Sequence, residues 1–212
     1  MKIEFVSDVA CPWCAVGLAS LERALERIGE AIAVELRFEP FELNPTLGPE
    51  GSDAAEYLRA KYGLSAEQLA RNRENIRRRG AEVGFTFGER TRVWNTFDAH
   101  RLLYWAGLEG RQRELKHALL EAYHGEGRNP GAHDVLVELA GRVGLDPARA
   151  AAILAGDSYA AEVRAREAHW QSLGVHAVPS LIVDDRHLIQ GGQPPEVFEQ
   201  ALRRIAAERT PA

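Results

Sequence analysis

The chain has 212 residues, of which 45% are hydrophobic, and a formal net charge of −5. This suits one large domain, or a core with an insertion, with ample material for a buried interior. The acidic balance leaves no general nucleic-acid footprint, and no run of about 18 apolar residues marks a membrane span.

Met1 leads straight into Ile3-Glu4-Phe5-Val6, so no secretory leader and a cytoplasmic setting are expected. Residues 2–7 alternate apolar and polar and end at Ser7-Asp8, a strand signature. Cys11-Pro12-Trp13-Cys14 follows and holds the only two cysteines of the chain. Two thiols at this spacing, at the start of a helix, can close into a small disulfide ring. The first faces unpaired backbone N–H groups and the positive end of the helix dipole, which favours its thiolate. Pro12 pre-sets φ for the first helical turn. Half a zinc site would need a second pair of ligands. No other cysteine exists, and no two histidines lie closer in sequence than His117 with His124 or His169 with His176. A structural bridge over two residues would restrain the unfolded chain little. In a cytosolic chain such a pair reads as redox-active.

Val16, Leu18, Leu21, Leu25 and Ile28 give residues 12–29 a near-helical period. Residues 32–39 alternate again. Strand, helix, strand in this span is a βαβ unit with parallel strands and a right-handed crossover. From 52 to 173 the period is helical, with helices expected near 52–62, 65–83, 96–107, 111–126, 132–143, 146–155 and 158–173. Breaks are expected at Gly63, Gly84, Gly107, Gly127, Gly144 and Gly156. Ser65 and Gln68 form a capping-box pattern. The arginine-rich stretch Arg71–Arg79 alternates with Asn, Glu and Ile, and reads as a solvated helix face rather than a phosphate-binding patch. Ser180-Leu181-Ile182-Val183 and His187-Leu188-Ile189-Gln190 then flank an Asp184-Asp185 turn. Pro194-Pro195 opens a last helix with an apolar face of Val197, Phe198, Ala201, Leu202 and Ile205.

This order resembles the thioredoxin-like fold (βαβ–ββα) with a large all-helical insertion, as carried by DsbA-type oxidoreductases. Ser7–Cys14 is similar to the motif of FrnE-like members of that family. Phe38-Glu39-Pro40-Phe41-Glu42-Leu43-Asn44-Pro45, Asn95–Leu102, Gly174–Pro179 and Gln193-Pro194 look like further segments of it. The resemblance implies a discontinuous thioredoxin-like domain at 1–51 and 174–212 and a helical insertion domain at 52–173. It departs at Trp13, where periplasmic DsbA carries a histidine, which sets aside that protein's extreme thiolate stabilisation. It departs also at His176-Ala177, where relatives often have glycine.

On these grounds Cys11 is the expected nucleophile and Cys14 the buried resolving thiol. Trp13 is either an apolar platform beside Cys11 or simple packing. The resemblance places Val178-Pro179 where thioredoxin folds carry a cis-proline facing the dithiol, the alternative being an ordinary trans-proline at a strand start. Pro12, Trp13 and Val178 are expected to bind substrate. Asn44, Trp94, Asn95 and His100 are expected near the mouth of the site. Asn95 also serves as a helix N-cap in this reading, and His100 as either a proton shuttle or a helix-surface residue. Asp8 is either a proton acceptor for Cys14 or a strand-end cap.

The expected function is thiol–disulfide exchange through a mixed disulfide, acting as oxidase, reductase or isomerase on disulfide- or thiol-containing proteins or small molecules. No metal and no bound cofactor are expected beyond the Cys11–Cys14 pair, with glutathione as a candidate co-substrate. No nucleic-acid or membrane partner is expected, and the chain is either a monomer or a homodimer. Two alternatives stand beside it. One is a glutathione-dependent isomerase or transferase resembling 2-hydroxychromene-2-carboxylate isomerase or kappa-class glutathione transferase, which typically hold a single Ser or Cys at the first position. The other is a chaperone-like peptide-binding module with incidental cysteines.

Overall fold

Alternation in the first strand, β1 (Lys2–Ser7), turns Ile3 and Phe5 to one face and Glu4 and Val6 to the other, and all four are buried. A strand covered on both faces belongs in the middle of a sheet, and β1 is central here. The computed structural model describes residues 1–208, so residues 209–212 of the expected 174–212 segment lie outside it. β1 pairs in parallel with β2 (Glu35–Pro40), Phe5 facing Phe38, and antiparallel with β5 (Ser180–Val183), Phe5 facing Leu181. β5 continues into β6 (His187–Gln190), giving the order β2-β1-β5-β6. The turn between them holds Asp184 and Asp185 at φ 51° and 56°, the positive-φ geometry that matches strand twist in tight hairpins.

Helix α1 (Pro12–Ile28) connects β1 to β2, and α9 (Pro195–Glu208) follows β6. Cys14, Leu18, Leu21, Phe198 and Leu202 form a core with Ile3, Phe5 and Leu181 on one face of the sheet. Trp170 packs with Val6 and Phe41 on the other face. This is the expected thioredoxin-like order, with the insertion lying between β2 and β5.

The insertion is not wholly helical. β3 (Ser52–Asp53) pairs with β4 (Arg92–Val93) in a two-stranded ladder, where a helix was expected from residue 52. Asp53 instead caps α2 (Ala54–Tyr62), accepting from the N–H groups of Ala55 and Glu56, both at 2.9 Å. Next come α3 (Ala66–Glu82), whose Ser65–Gln68 capping box is complete, α4 (Phe97–Leu108) and α5 (Gln112–Leu120). Gly107 lies inside α4 rather than breaking it, and the chain turns at Gly110, φ 69°. The expected helix to 126 loosens after Leu120 into a π turn at Glu121–Gly125, a local widening often found at functional sites. α6 (His133–Arg142), α7 (Pro147–Ala155) and α8 (Ala160–Ser172) complete the insertion.

Its core gathers Leu102, Trp105, Leu115, Leu119, Tyr123, Leu136 and Ile153, and reaches back to Val9 and Ala10 just before the dithiol. Conversely, Leu120 of α5 is buried in the sheet–α1 core. Gln112 closes the open edge of β2, its amide accepting from Phe38 N–H at 3.0 Å and donating to Phe38 C=O at 2.9 Å. Such shared packing predicts that the two cores unfold as one cooperative unit. Leu120→Ala is therefore expected to cost about 2–5 kcal/mol in a single urea transition; two separated transitions would show that the cores unfold independently.

Candidate active site

The loop leading to Cys11 is held from several directions at once. The Asp8 carboxylate is fully buried. It accepts from Ala10 N–H at 3.0 Å, from Leu43 N–H at 2.7 Å and from the Thr96 hydroxyl at 2.7 Å. Burial pushes its pKa up, but His100 and these donors outweigh burial and hold it below the usual carboxylate range. The Val9 carbonyl accepts from His124 Nε2 at 2.8 Å. Burial and the Arg90 charge press the His124 pKa down to about 3, so the ring is neutral. Arg90 donates to the Ala10 carbonyl at 3.1 Å and lies over the Tyr123 ring.

Cys11 caps the N-terminus of α1 with no side-chain hydrogen bond of its own to the helix, and Pro12 fills the first helical position. Both thiols are free and buried. Their environments push them apart. A hydrogen bond from the Cys14 thiol, helped by the N–H groups of Cys14 and Trp13, lowers the Cys11 pKa against burial and the Asp8 charge. Burial, then the hydrogen bond to Cys11 and its charge, raises that of Cys14 well above the ordinary value. The Cys11 sulfur lies 3.6 Å from the Val178 carbonyl, and the Val178–Pro179 peptide is cis, as the resemblance implied. Gly17 permits this approach, since a Cβ there would sit 2.9 Å from Pro179 Cγ. Gly192 does the same for the last turn, where a Cβ would meet the Trp13 carbonyl at 3.0 Å.

Cys11, Cys14, Pro12, Trp13, Val178 and Pro179 thus come together. Trp13 is half-buried against the sheet–α1 core. Asn44 and Asn95 act as braces. Asn44 Oδ1 accepts from Lys61 Nζ at 2.9 Å and the Tyr57 hydroxyl at 3.1 Å. Asn95 donates to Glu42 at 3.1 Å and accepts from Phe97 N–H at 2.8 Å. Asn95 therefore gives the cap-type bond that was expected, although Thr96 is the boundary residue of α4 and turns its own hydroxyl to Asp8. Trp94 stands edge-on to Tyr123 against the insertion core. His100 is not a helix-surface histidine: it is 3% exposed, with Nε2 3.4 Å from Asp8.

Sequence patterns did not reveal Arg90, His124 or Lys116. Lys116 is 1% exposed, and its charge acts on Cys14, Asp8 and Cys11. Burial lowers its pKa against their pull. The signal that marks Lys116 is its place on the Gln112–Leu119–Leu120 stripe of α5, the buried face. Lys116 and His100 also line a cavity of about 630 Å³ that opens along β2 at Glu35 and Arg37. Among the described residues, no three His, Cys, Asp or Glu side chains converge to hold a metal, and no helix is long and apolar enough to cross a membrane.

A buried dithiol at a helix start, facing a cis-proline on a thioredoxin-like sheet, is a disulfide-exchange geometry. The DSBA-like thioredoxin domain matches residues 2–203, and the chain belongs to that family. It is a DsbA-like oxidoreductase with the pair Cys11–Cys14. It is similar to the probable DsbA oxidoreductase SCO1869 from Streptomyces coelicolor, with 38% identity and a TM-score of 0.93 over 100% of this chain and 92% of that one. It is also 28% identical to the uncharacterized protein YwbO from Bacillus subtilis (strain 168), over 95% of this chain and 96% of that one. The fold is shared with the cytosolic disulfide reductase DsbM from Pseudomonas aeruginosa, solved with GSH, at 20% identity and a TM-score of 0.68 over 98% and 100% of the two chains.

Two outcomes follow from this geometry. Asp8→Ala strands three buried donors and is expected to cost about 3 kcal/mol or more by chemical denaturation. Because the Asp8 pKa is lowered by folding, its ionised form adds stability above about pH 4. The gap to Asp8→Asn should therefore shrink as pH falls through the folded-state pKa. Iodoacetamide alkylation of Cys11 should titrate below the free-thiol value of about 8.5, and that of Cys14 well above it; equal titration of the two would contradict the asymmetry.

Proposed function

We propose that this protein is a thiol–disulfide exchange enzyme working through the Cys11-Pro12-Trp13-Cys14 dithiol, in the manner of FrnE-like relatives. The observation that carries the proposal is the asymmetry of the pair: an activated first thiol beside a deeply buried second one. Cys11 thiolate attacks a substrate disulfide and forms a mixed disulfide, releasing one substrate thiolate. Cys14 then loses its proton and attacks Cys11, closing the ring and releasing the second thiolate. Two electrons pass from the dithiol to the substrate. In the opposite direction a substrate thiolate opens the ring.

Asp8 already holds three donors and stays ionised, so it is a poor acceptor for the Cys14 proton. Lys116 is the neighbour whose charge favours the Cys14 thiolate. Substrate lies against Pro12, Trp13 and the Val178 backbone, while Asn44, Asn95, Trp94 and His100 support the walls. A cytoplasmic setting, with disulfide- or thiol-containing proteins or small molecules as partners and glutathione as co-substrate, fits a reductase or isomerase more than a net oxidase. The name of DsbM, a cytosolic disulfide reductase, supports that direction. The glutathione-dependent isomerase reading has one support, the same fold in 2-hydroxychromene-2-carboxylate isomerase, at 15% identity, and the second cysteine speaks against it.

Insulin reduction with dithiothreitol tests the proposal. The wild type is expected to accelerate precipitation of the insulin B chain, and Cys11→Ser to abolish the effect. Cys14→Ser should trap a mixed disulfide with substrate. A Cys14→Ser protein with full turnover would favour the single-thiol glutathione route instead.

A further inference from the structure

Beside Pro12, the first residue after the nucleophile, lies a cleft of about 500 Å³ between α2, α3 and the segment Phe87–Thr91. That is the size of a small-ligand site. Three guanidinium groups line it: Arg73 and Arg77 from α3 and Arg90 from the facing segment. The arginines of α3 divide into two sets. Arg71 pairs with Glu67, Arg78 with Asn75, and Arg79 with Glu82 and the Gly192 carbonyl. Arg73 and Arg77, four residues apart and so on one face, make no hydrogen bond or ion pair with any described residue. Arg90 is fixed by the Ala10 carbonyl, next to Cys11. Two carboxylates share the cleft. Asp53 uses one oxygen to cap α2, and Glu89 is exposed. The sixth titratable group, His124, is neutral.

We infer that this cleft binds the non-reacting end of a small, carboxylate-rich peptide thiol or its disulfide, placing the sulfur at Cys11. The inference rests on the exchange chemistry proposed above and adds to it the residues that hold and select an anionic small-molecule substrate. Three cations against two anions, of which one is already occupied, match a zwitterion with more carboxylates than ammonium groups. Planar guanidinium groups suit paired contacts with carboxylates. The step balances. Cys11 thiolate attacks one sulfur of RSSR, a sulfur–sulfur bond forms to Cys11, and RS⁻ leaves. Cys14, its proton passing to solvent, attacks Cys11 and expels the second RS⁻. The dithiol is oxidised by two electrons, RSSR is reduced to two thiolates, and these take protons from water.

The test compares three disulfides as oxidants of the reduced protein at low ionic strength, read by tryptophan fluorescence in stopped flow. They are glutathione disulfide (net anionic), hydroxyethyl disulfide (neutral) and cystamine (cationic). The wild type should prefer glutathione disulfide. Arg73→Ala/Arg77→Ala, a change at two exposed positions, should slow that oxidant about tenfold and leave hydroxyethyl disulfide within about twofold. Charge reversal at both positions should transfer the preference to cystamine, and added salt should flatten it. An unchanged glutathione disulfide rate in the double variant, or an equal loss for all three oxidants, overturns the cleft as the binding site. Failure of the wild type to react with any of the three overturns the exchange chemistry itself, and the cleft with it.

Discussion

Everything at the dithiol depends on one buried carboxylate. Asp8 follows β1 where the chain must turn sharply into α1, and it takes a hydrogen bond from each of three separate segments: its own turn, the loop after β2, and the start of α4. An ionised group with no solvent contact is tolerable only when its lone pairs are filled. The three segments must therefore meet at that point, and their meeting fixes where Cys11 begins. Val9 and Ala10 are held in the same way through their carbonyls by His124 and Arg90. A thioredoxin-like sheet supplies the helix start and the cis-proline. The insertion supplies the grip on the loop between strand and helix.

Much of this was legible in the residues. Strand alternation in β1 and β2, the apolar stripe of α1 and the Ser65–Gln68 box report local physics, and local physics is what a sequence displays. The β3–β4 ladder was not legible, since two-residue strands carry no period and Asp53 announces a helix just after them. Arg90 and His124 were invisible for another reason: each acts on a carbonyl far away in sequence, and an arginine or histidine at such a position looks the same whether it faces water or backbone. Lys116 is instructive, because its helix stripe did mark it as buried, against the ordinary expectation that lysine is exposed. The polar atoms of Asn44 and Asn95 are spent on structure.

The same contacts set the balance of charge under the dithiol. Asp8 opposes the Cys11 thiolate, while Lys116 favours ionisation of Cys14. The two charges are fixed by packing rather than by direct pairing with sulfur. The resting pair is biased toward Cys11 by the helix-start N–H groups and the Cys14 thiol. In the proposed exchange, a mixed disulfide at Cys11 removes the charge that opposes ionisation of Cys14, while the pull of Lys116 remains. On that proposal, reactivity passes from the first sulfur to the second without any movement of the protein charges.

The same arrangement bears on Trp13, which stands where the resemblance to periplasmic DsbA would place a histidine. A cation between the cysteines would stabilise the Cys11 thiolate directly, and the reduced form with it. Trp13 brings no charge. Cys11 is left with dipoles and a neighbouring thiol on one side, and with burial and the Asp8 carboxylate against it on the other. The opposing contributions moderate its activation, which a charged neighbour would strengthen. In the exchange proposed above, such a dithiol passes electrons on to a substrate, and the arginine-lined cleft inferred beside Pro12 would decide which substrate receives them.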